Sequence, residues 1–227
     1  RTIVMDVDSP GGSVAGTMEL AERVYEARQR KPIIAVANAT AASAAYWIAS
    51  AATEFVVTPS GSVGSIGVLA VHTDRSGALT RDGIRPTLIH AGRYKTEGNS
   101  NEPLSADGRA EIQRMIDQAY TKMTSAIGRY RGRAAADVRE HFGQGRMLTA
   151  QDALRAGMID RIDTLDDTVL RASSRRPTMV VVGGQGGPKA IGTPARNAAN
   201  ARLALLDSGG SPRARLNDAR LKAAIAG

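Results

Sequence analysis

Residues 32–53, PIIAVANATAASAAYWIASAAT, carry no charge. A stretch of that length must either cross a bilayer or be buried by the rest of its own chain. Pro32 opens it, Asn38, Thr40, Ser43 and Ser50 interrupt it, and alanine dominates it. The transfer energy is too weak for a membrane span, which leaves burial within a folded domain. IIAVA then forms a strand, and a helix begins at about Ala44. An ordinary helix does not need so many tiny side chains. They imply that another backbone, or a substrate, comes close to this one.

The flanking sequence continues in the same alternation. RTIVMDV reads as a buried strand ending at the turn DSPGGS, and Val14, Met18, Ala21, Val24 and Tyr25 follow at helical spacing, stopped by Pro32. After the small-residue helix come the strand EFVVT, the glycine-rich turn PSGSVGS, the strand IGVLAV, a helix ended by Gly83 and the strand RPTLIH. AGRYKTEGNSNEPLS has no periodicity and reads as a long loop. Ile112, Met115, Ile116, Ala119, Tyr120, Met123, Ile127 and Tyr130 line one face of a long helix, with Ser105 as N-cap and Gly132 as stop. LTAQDALRAGMIDRI gives a helix capped by Thr149, terminated by Gly157 and followed by a last strand, with Asp166-Asp167 as a solvated turn. Strands alternating with helices predict an α/β fold of parallel βαβ units.

Charge places a boundary near residue 170. Residues 1–170 hold 20 basic and 20 acidic side chains, whereas residues 171–227 hold 10 basic and 2 acidic ones. The tail is also rich in Ala, Arg, Gly and Pro, a composition that favours disorder and suits an acidic partner or nucleic acid. There is no cysteine, which excludes a disulfide framework, a thiol nucleophile and cysteine-bound zinc. His72, His90 and His141 are scattered, with no metal-ligand spacing. The chain opens on Arg1 and directly on a strand, without a signal-peptide pattern; an upstream portion is expected to be missing.

Two motifs fall at the carboxyl ends of predicted strands, where open α/β sheets place their sites. In Asp8-Ser9-Pro10-Gly11-Gly12-Ser13 the paired glycines allow close backbone approach, and free N–H groups at the entry to a helix suit an oxyanion. Ser43 lies between a strand and a helix, so its hydroxyl sits at an elbow beside the amide of Ala44, although no G-x-S-x-G pattern is present. A serine buried among alanines otherwise bonds a carbonyl one turn back. As a nucleophile it needs a base. Lys31 and Lys122 look solvated, Lys189 and Lys222 lie in the tail, and Lys95 alone sits in the non-periodic loop. Ser–Lys dyads are a known variant of the triad. His72, 29 residues after Ser43, is the rival base.

The ordered set VDSPGGSV, TAASAAYWIASAA, VGSIGV, GRYKTEGNSNEPLS and LTAQDALRAGMIDRI resembles the Ser–Lys signal peptide peptidase A family, and within it the branch of phage capsid maturation proteases. The resemblance spans about residues 1–165. It implies a Clp/crotonase-like fold, with Ser43 as nucleophile and Lys95 as general base. Ala44 and either Gly11 or Gly12 would supply the oxyanion N–H groups, and Ser65 would orient the lysine amine. No cofactor is implied. Expected partners are polypeptides (capsid or scaffold proteins, or signal peptides) and further copies of the chain in a homo-oligomer. The expected place is the host cytoplasm or the virion prohead, or a membrane should an anchor precede residue 1. Ser43-Ala44-Ala45 departs from the family's usual Ser-Gly-Gly or Ser-Ala-Gly. Two other functions stay open: a Clp-like Ser-His-Asp protease using His72, and a catalytically inactive assembly module on the same fold.

Overall fold

The computed structural model describes residues 2–174. Within them β1 (Ile3–Ser9) runs parallel to β2 (Ile33–Ala42), from the Ile3–Ile33 pair to Ser9–Ala41. The other edge of β2 is shared. β3 (Glu54–Val57) pairs in parallel with Ile34–Ala37, and β4 (Ser62–Gly64) takes over along Thr40–Ala42. β5 (Met147–Thr149) lies antiparallel to β4, and β6 (Arg161–Ile162) lies parallel to β3. The expected α/β class with a mainly parallel sheet is what the chain adopts. Thr58 fills the gap where β3 gives way to β4, its hydroxyl donating to the Asn38 carbonyl at 2.7 Å.

β2 is buried on both faces, which is why IIAVA is apolar without alternation. Ile33, Ala35 and Ala37 face a core shared with α1 (Thr17–Ala27) and α2 (Ala44–Ser50), while Ile34 and Val36 join Val56 on the opposite face. α2 packs on β2 and α1. Ala49, Ser50 and Ala51 are wholly enclosed, so the small side chains let this short helix lie close to the sheet. Tyr46 fills the space they leave, and its hydroxyl donates to the Met158 carbonyl at 2.9 Å. Burial pushes that phenol well above its usual range.

The chain then leaves the sheet. From residue 67 to residue 104 it carries one short helix, α3 (Ser76–Arg81), ended by Gly83 at φ 71°. IGVLAV and RPTLIH are not strands: Leu69 and Val71 are 81% exposed and Ile89 is 95% exposed. A strand needs a neighbour to take its amide and carbonyl groups, and no strand of the sheet lies beside either run. PSGSVGS is the converse case: Ser62–Gly64 within that expected turn is β4, held between β2 and β5.

α4 (Ala106–Arg131) is capped as expected, with the Ser105 hydroxyl accepting from the Gly108 amide at 3.0 Å and Gly132 left-handed at its end. It packs on α2, and α5 (Ala135–His141), which the periodicity did not announce, packs on it. Thr149 caps α6 (Ala150–Arg155), and Gly157 turns the chain at φ 74°. α7 (Leu165–Ser174) covers the second face of the sheet through Leu165 and Ala172. Asp166 and Asp167 therefore lie in the first turn of a helix, not in a free turn; acidic side chains favour that end of a helix. α7 runs through residue 170, and the basic tail beyond Ser174 lies outside the described residues.

Arg131 at the end of α4 grips Asp160 through two hydrogen bonds of 2.8 and 2.7 Å, and Asp160 also accepts from the Phe55 amide at 2.7 Å. Burial by itself would raise the Asp160 pKa, but Arg131 holds it below the ordinary 3.8. Glu54 behaves alike: burial opposes, and hydrogen bonds from Arg171 and Arg161 bring it below 4.5. A carboxylate depressed by folding stabilises fully above its unfolded pKa, and that contribution is lost as pH falls through the folded value. The melting temperature should hold steady down to about pH 5 and fall steeply at lower pH. Asp160→Asn should melt lower at neutral pH, with a shallower acid limb. Thermal melts across a pH series check both.

Candidate active site

Ser43 joins β2 to α2 with φ 52° and ψ −120°, a conformation costly for a residue with a side chain. Two hydrogen bonds hold it there. Its amide donates to the Gly64 carbonyl of β4 at 2.8 Å, and its carbonyl accepts from the Trp47 amide at 3.0 Å. The hydroxyl does not cap α2 and makes no hydrogen bond among the described residues, so the common role of a serine in a buried helix does not apply. Ala44 begins α2, and its amide has no acceptor within the helix.

The Pro-Gly-Gly turn after β1 packs against this junction. A Cβ on Gly11 would stand 2.7 Å from the Ser43 Cβ and 2.8 Å from the Ala42 carbonyl oxygen, and Gly11 has φ +104°. Gly12 faces open space. The two glycines, with Ser9, Ala44, Ala45 and Ile48, line an open pocket of about 280 Å³. The turn does not run straight into a helix as expected. Gly16, left-handed at φ 82°, intervenes, and α1 starts only at Thr17. Among the described residues the amides of Gly12, in this turn, and of Ala44, at the start of α2, have no acceptor.

Sequence reasoning missed the groups that hold this turn. The Ser9 hydroxyl accepts from the Gly11 amide at 3.2 Å. Between the Val7–Ala37 and Ser9–Ala41 pairs, β2 carries three residues opposite Asp8 alone. That bulge takes the Thr40 amide out of the ladder, and Asp8 accepts from it at 3.2 Å. The signal for the first was available: a serine ahead of a Pro-Gly pair can accept from the amide two residues on.

Ser65 follows Gly64 with φ 51°, partly buried, and its amide donates to the Arg146 carbonyl at 2.9 Å. Any side chain at Gly64 would collide with that same carbonyl. The structure thus brings Ser43, Ala44, Gly11 and Gly12 together and places Ser65 next to the residue that holds the Ser43 amide. Lys95 is exposed in a run of turns from residue 92 to 99, and no hydrogen bond joins it to Ser43. His72 Nε2 lies 2.9 Å from the Asn99 carbonyl, His90 Nδ1 3.1 Å from that of Gly92, and His141 pairs with Asp137. Among the described residues no three His, Cys, Asp or Glu side chains cluster to hold a metal, and no helix is long and apolar enough to cross a membrane.

The two glycines should respond differently to a methyl group. Gly11→Ala meets Ser43 and the Ala42 carbonyl and forces an L-residue to positive φ; it should lower stability by about 2–3 kcal/mol and displace the turn. Gly12→Ala keeps its amide and meets nothing, so it should melt within a few degrees of the parent. Denaturant melts of the two variants check the contrast.

The chain matches peptidase family S49 over residues 26–177. The head-tail preconnector protein GP5 of Enterobacteria phage P21 is 35% identical over 169 residues, 74% of this chain and 33% of that protein. The capsid assembly protease C of Escherichia phage lambda is 32% identical over 167 residues, 74% of this chain and 38% of that protein. Protease 4 of Salmonella typhi is 28% identical over 174 residues, 76% of this chain and 28% of that protein. The chain thus spans about a third of the length of these relatives. Among solved structures, a membrane-bound stomatin-specific protease aligns with 76% of this chain and 69% of its own, at 21% identity and a TM-score of 0.45.

Proposed function

The chain belongs to peptidase family S49, and from that premise we propose that it is a serine endopeptidase with Ser43 as nucleophile and Lys95 as general base. The observation that carries the reading is the Ser43 junction: a hydroxyl with no hydrogen-bond partner among the described residues, on a backbone held in a costly conformation, beside a pocket lined by Gly12 and Ala44. Ser43 Oγ attacks the scissile carbonyl carbon while its proton passes to an uncharged Lys95 amine. The oxyanion is held by the amides of Ala44 and Gly12, each worth about 3–4 kcal/mol at such a site. Gly12 is preferred to Gly11 because the Gly11 amide is already given to Ser9. The lysine returns the proton to the leaving amine, the acyl-enzyme forms, and water hydrolyses it with the same lysine as base. Ser65, beside the serine's anchor, orients the amine.

Lys95 reaches the serine either by movement of its own segment or from a second copy of the chain. The exposed apolar side chains on that segment, Leu69, Val71 and Ile89, suit packing against another surface and support the homo-oligomer. Pocket walls of Gly11, Gly12, Ala44 and Ala45 favour a small side chain at the cleaved position. Identity is higher to the two phage proteins than to Protease 4, which supports a phage head maturation protease acting on capsid or scaffold polypeptides in the host cytoplasm or prohead. The basic segment 171–227 would then be a scaffold-like extension meeting an acidic partner or nucleic acid. The test is incubation with casein, followed by mass spectrometry of casein and of the protein itself. Fragments ending in small residues are expected from the parent and none from Ser43→Ala; the same fragments from both would overturn the assignment.

A further inference from the structure

The turn Pro10-Gly11-Gly12 contains only two amide hydrogens, because proline has none. One of them, on Gly11, is given to the Ser9 hydroxyl at 3.2 Å. The other, on Gly12, is not taken by any group among the described residues. A Gly-Gly pair is the most rotatable backbone a chain can offer, so the direction of the Gly12 amide depends on what restrains the turn. What precedes the pair is anchored to the sheet. Ser9 is the last residue of β1, paired with Ala41, and Asp8 ties the same strand end to the Thr40 amide. Ser9 is thus the one side chain in this strand end that reaches forward from the strand and holds the turn.

We propose that Ser9 is a positioning residue: by holding the Gly11 amide it fixes the Pro10–Gly11 peptide plane and so keeps the Gly12 amide aimed at the developing oxyanion. The inference rests on Ser43 being the nucleophile and Gly12 an oxyanion donor. Ser9 touches no reacting atom. Its loss should therefore act on the transition state far more than on substrate binding.

Threonine and valine have nearly the same shape, and only threonine keeps the accepting hydroxyl. Using a casein-derived peptide that the parent cuts, Ser9→Val should lower kcat by about 10- to 100-fold and leave KM within about threefold, while Ser9→Thr stays within about threefold in both. The second readout is inhibition by an aldehyde of the same peptide and by the matching alcohol. The aldehyde carbon bonds to Ser43 Oγ, the serine proton passes to the base, and the former carbonyl oxygen takes the charge that the amides hold. The alcohol forms no such bond. The aldehyde should bind at least about tenfold more weakly to Ser9→Val, with the alcohol unchanged.

Three results overturn the proposal: parent-like kcat and aldehyde affinity in Ser9→Val; equal losses in Ser9→Thr and Ser9→Val; or equal weakening of aldehyde and alcohol, which would mark a merely structural role. Melting curves establish that each variant is folded, and Ser9→Ala replaces Ser9→Val should valine not be accommodated. Equal cleavage by the parent and by Ser43→Ala would instead remove the underlying reading, and this inference with it, without involving any Ser9 variant.

Discussion

Ser43→Ala should lower kcat by about four orders of magnitude or more, since loss of the nucleophile leaves only binding and the oxyanion donors. The same position should show an opposite effect on stability. Ser43 sits at φ 52° and ψ −120°, and such a backbone costs about 1–3 kcal/mol when a side chain is present. Ser43→Gly relieves that strain, partly offset by the greater freedom glycine gives the unfolded chain. The glycine variant should be as inactive as the alanine variant and about 1 kcal/mol more stable than it. Peptide cleavage assays paired with denaturant melts measure both quantities. An alanine variant that still cleaves, or a glycine variant less stable than alanine, would separate the strain from the function.

The second large effect is expected at Lys95. Lys95→Ala should reduce cleavage as far as Ser43→Ala does, because attack without a base leaves the hydroxyl protonated. His72→Ala should stay within about tenfold of the parent, since the His72 ring already lies against the Asn99 carbonyl at the base of the same segment. Mixing the two inactive variants, Ser43→Ala and Lys95→Ala, tells how the amine arrives. Recovery of activity means that one copy supplies the serine and another the lysine; no recovery means that each segment serves its own chain. A fully active Lys95→Ala, or an inactive His72→Ala, would move the base to the histidine.

What could be read from the sequence is what short-range chemistry decides. Ser105 and Gly132 bound α4, and Thr149 and Gly157 bound α6, because capping depends on a few neighbouring residues. β1, β2 and β3 followed from continuous apolar runs. β4 did not: Ser-Val-Gly is a strand only because β2 outruns β3 and β5 lies beside it. IGVLAV and RPTLIH carry the composition of strands but have no partner strand among the described residues. In the site, the position of Ser43 followed from the change of period between strand and helix. Its link to Gly64, the Asp8–Thr40 bond and the Arg131–Asp160 grip join residues far apart, and no spacing encodes them.

Among the described residues β2 is the only strand bonded to three others. With β1, β3 and β4 all hanging on it, none can peel away and leave the remainder standing. Both halves of the pocket are continuations of the β1–β2 pair, one through the turn after Ser9 and the other through the junction at Ser43. Separation of β1 from β2 would therefore dismantle the pocket along with the centre of the sheet.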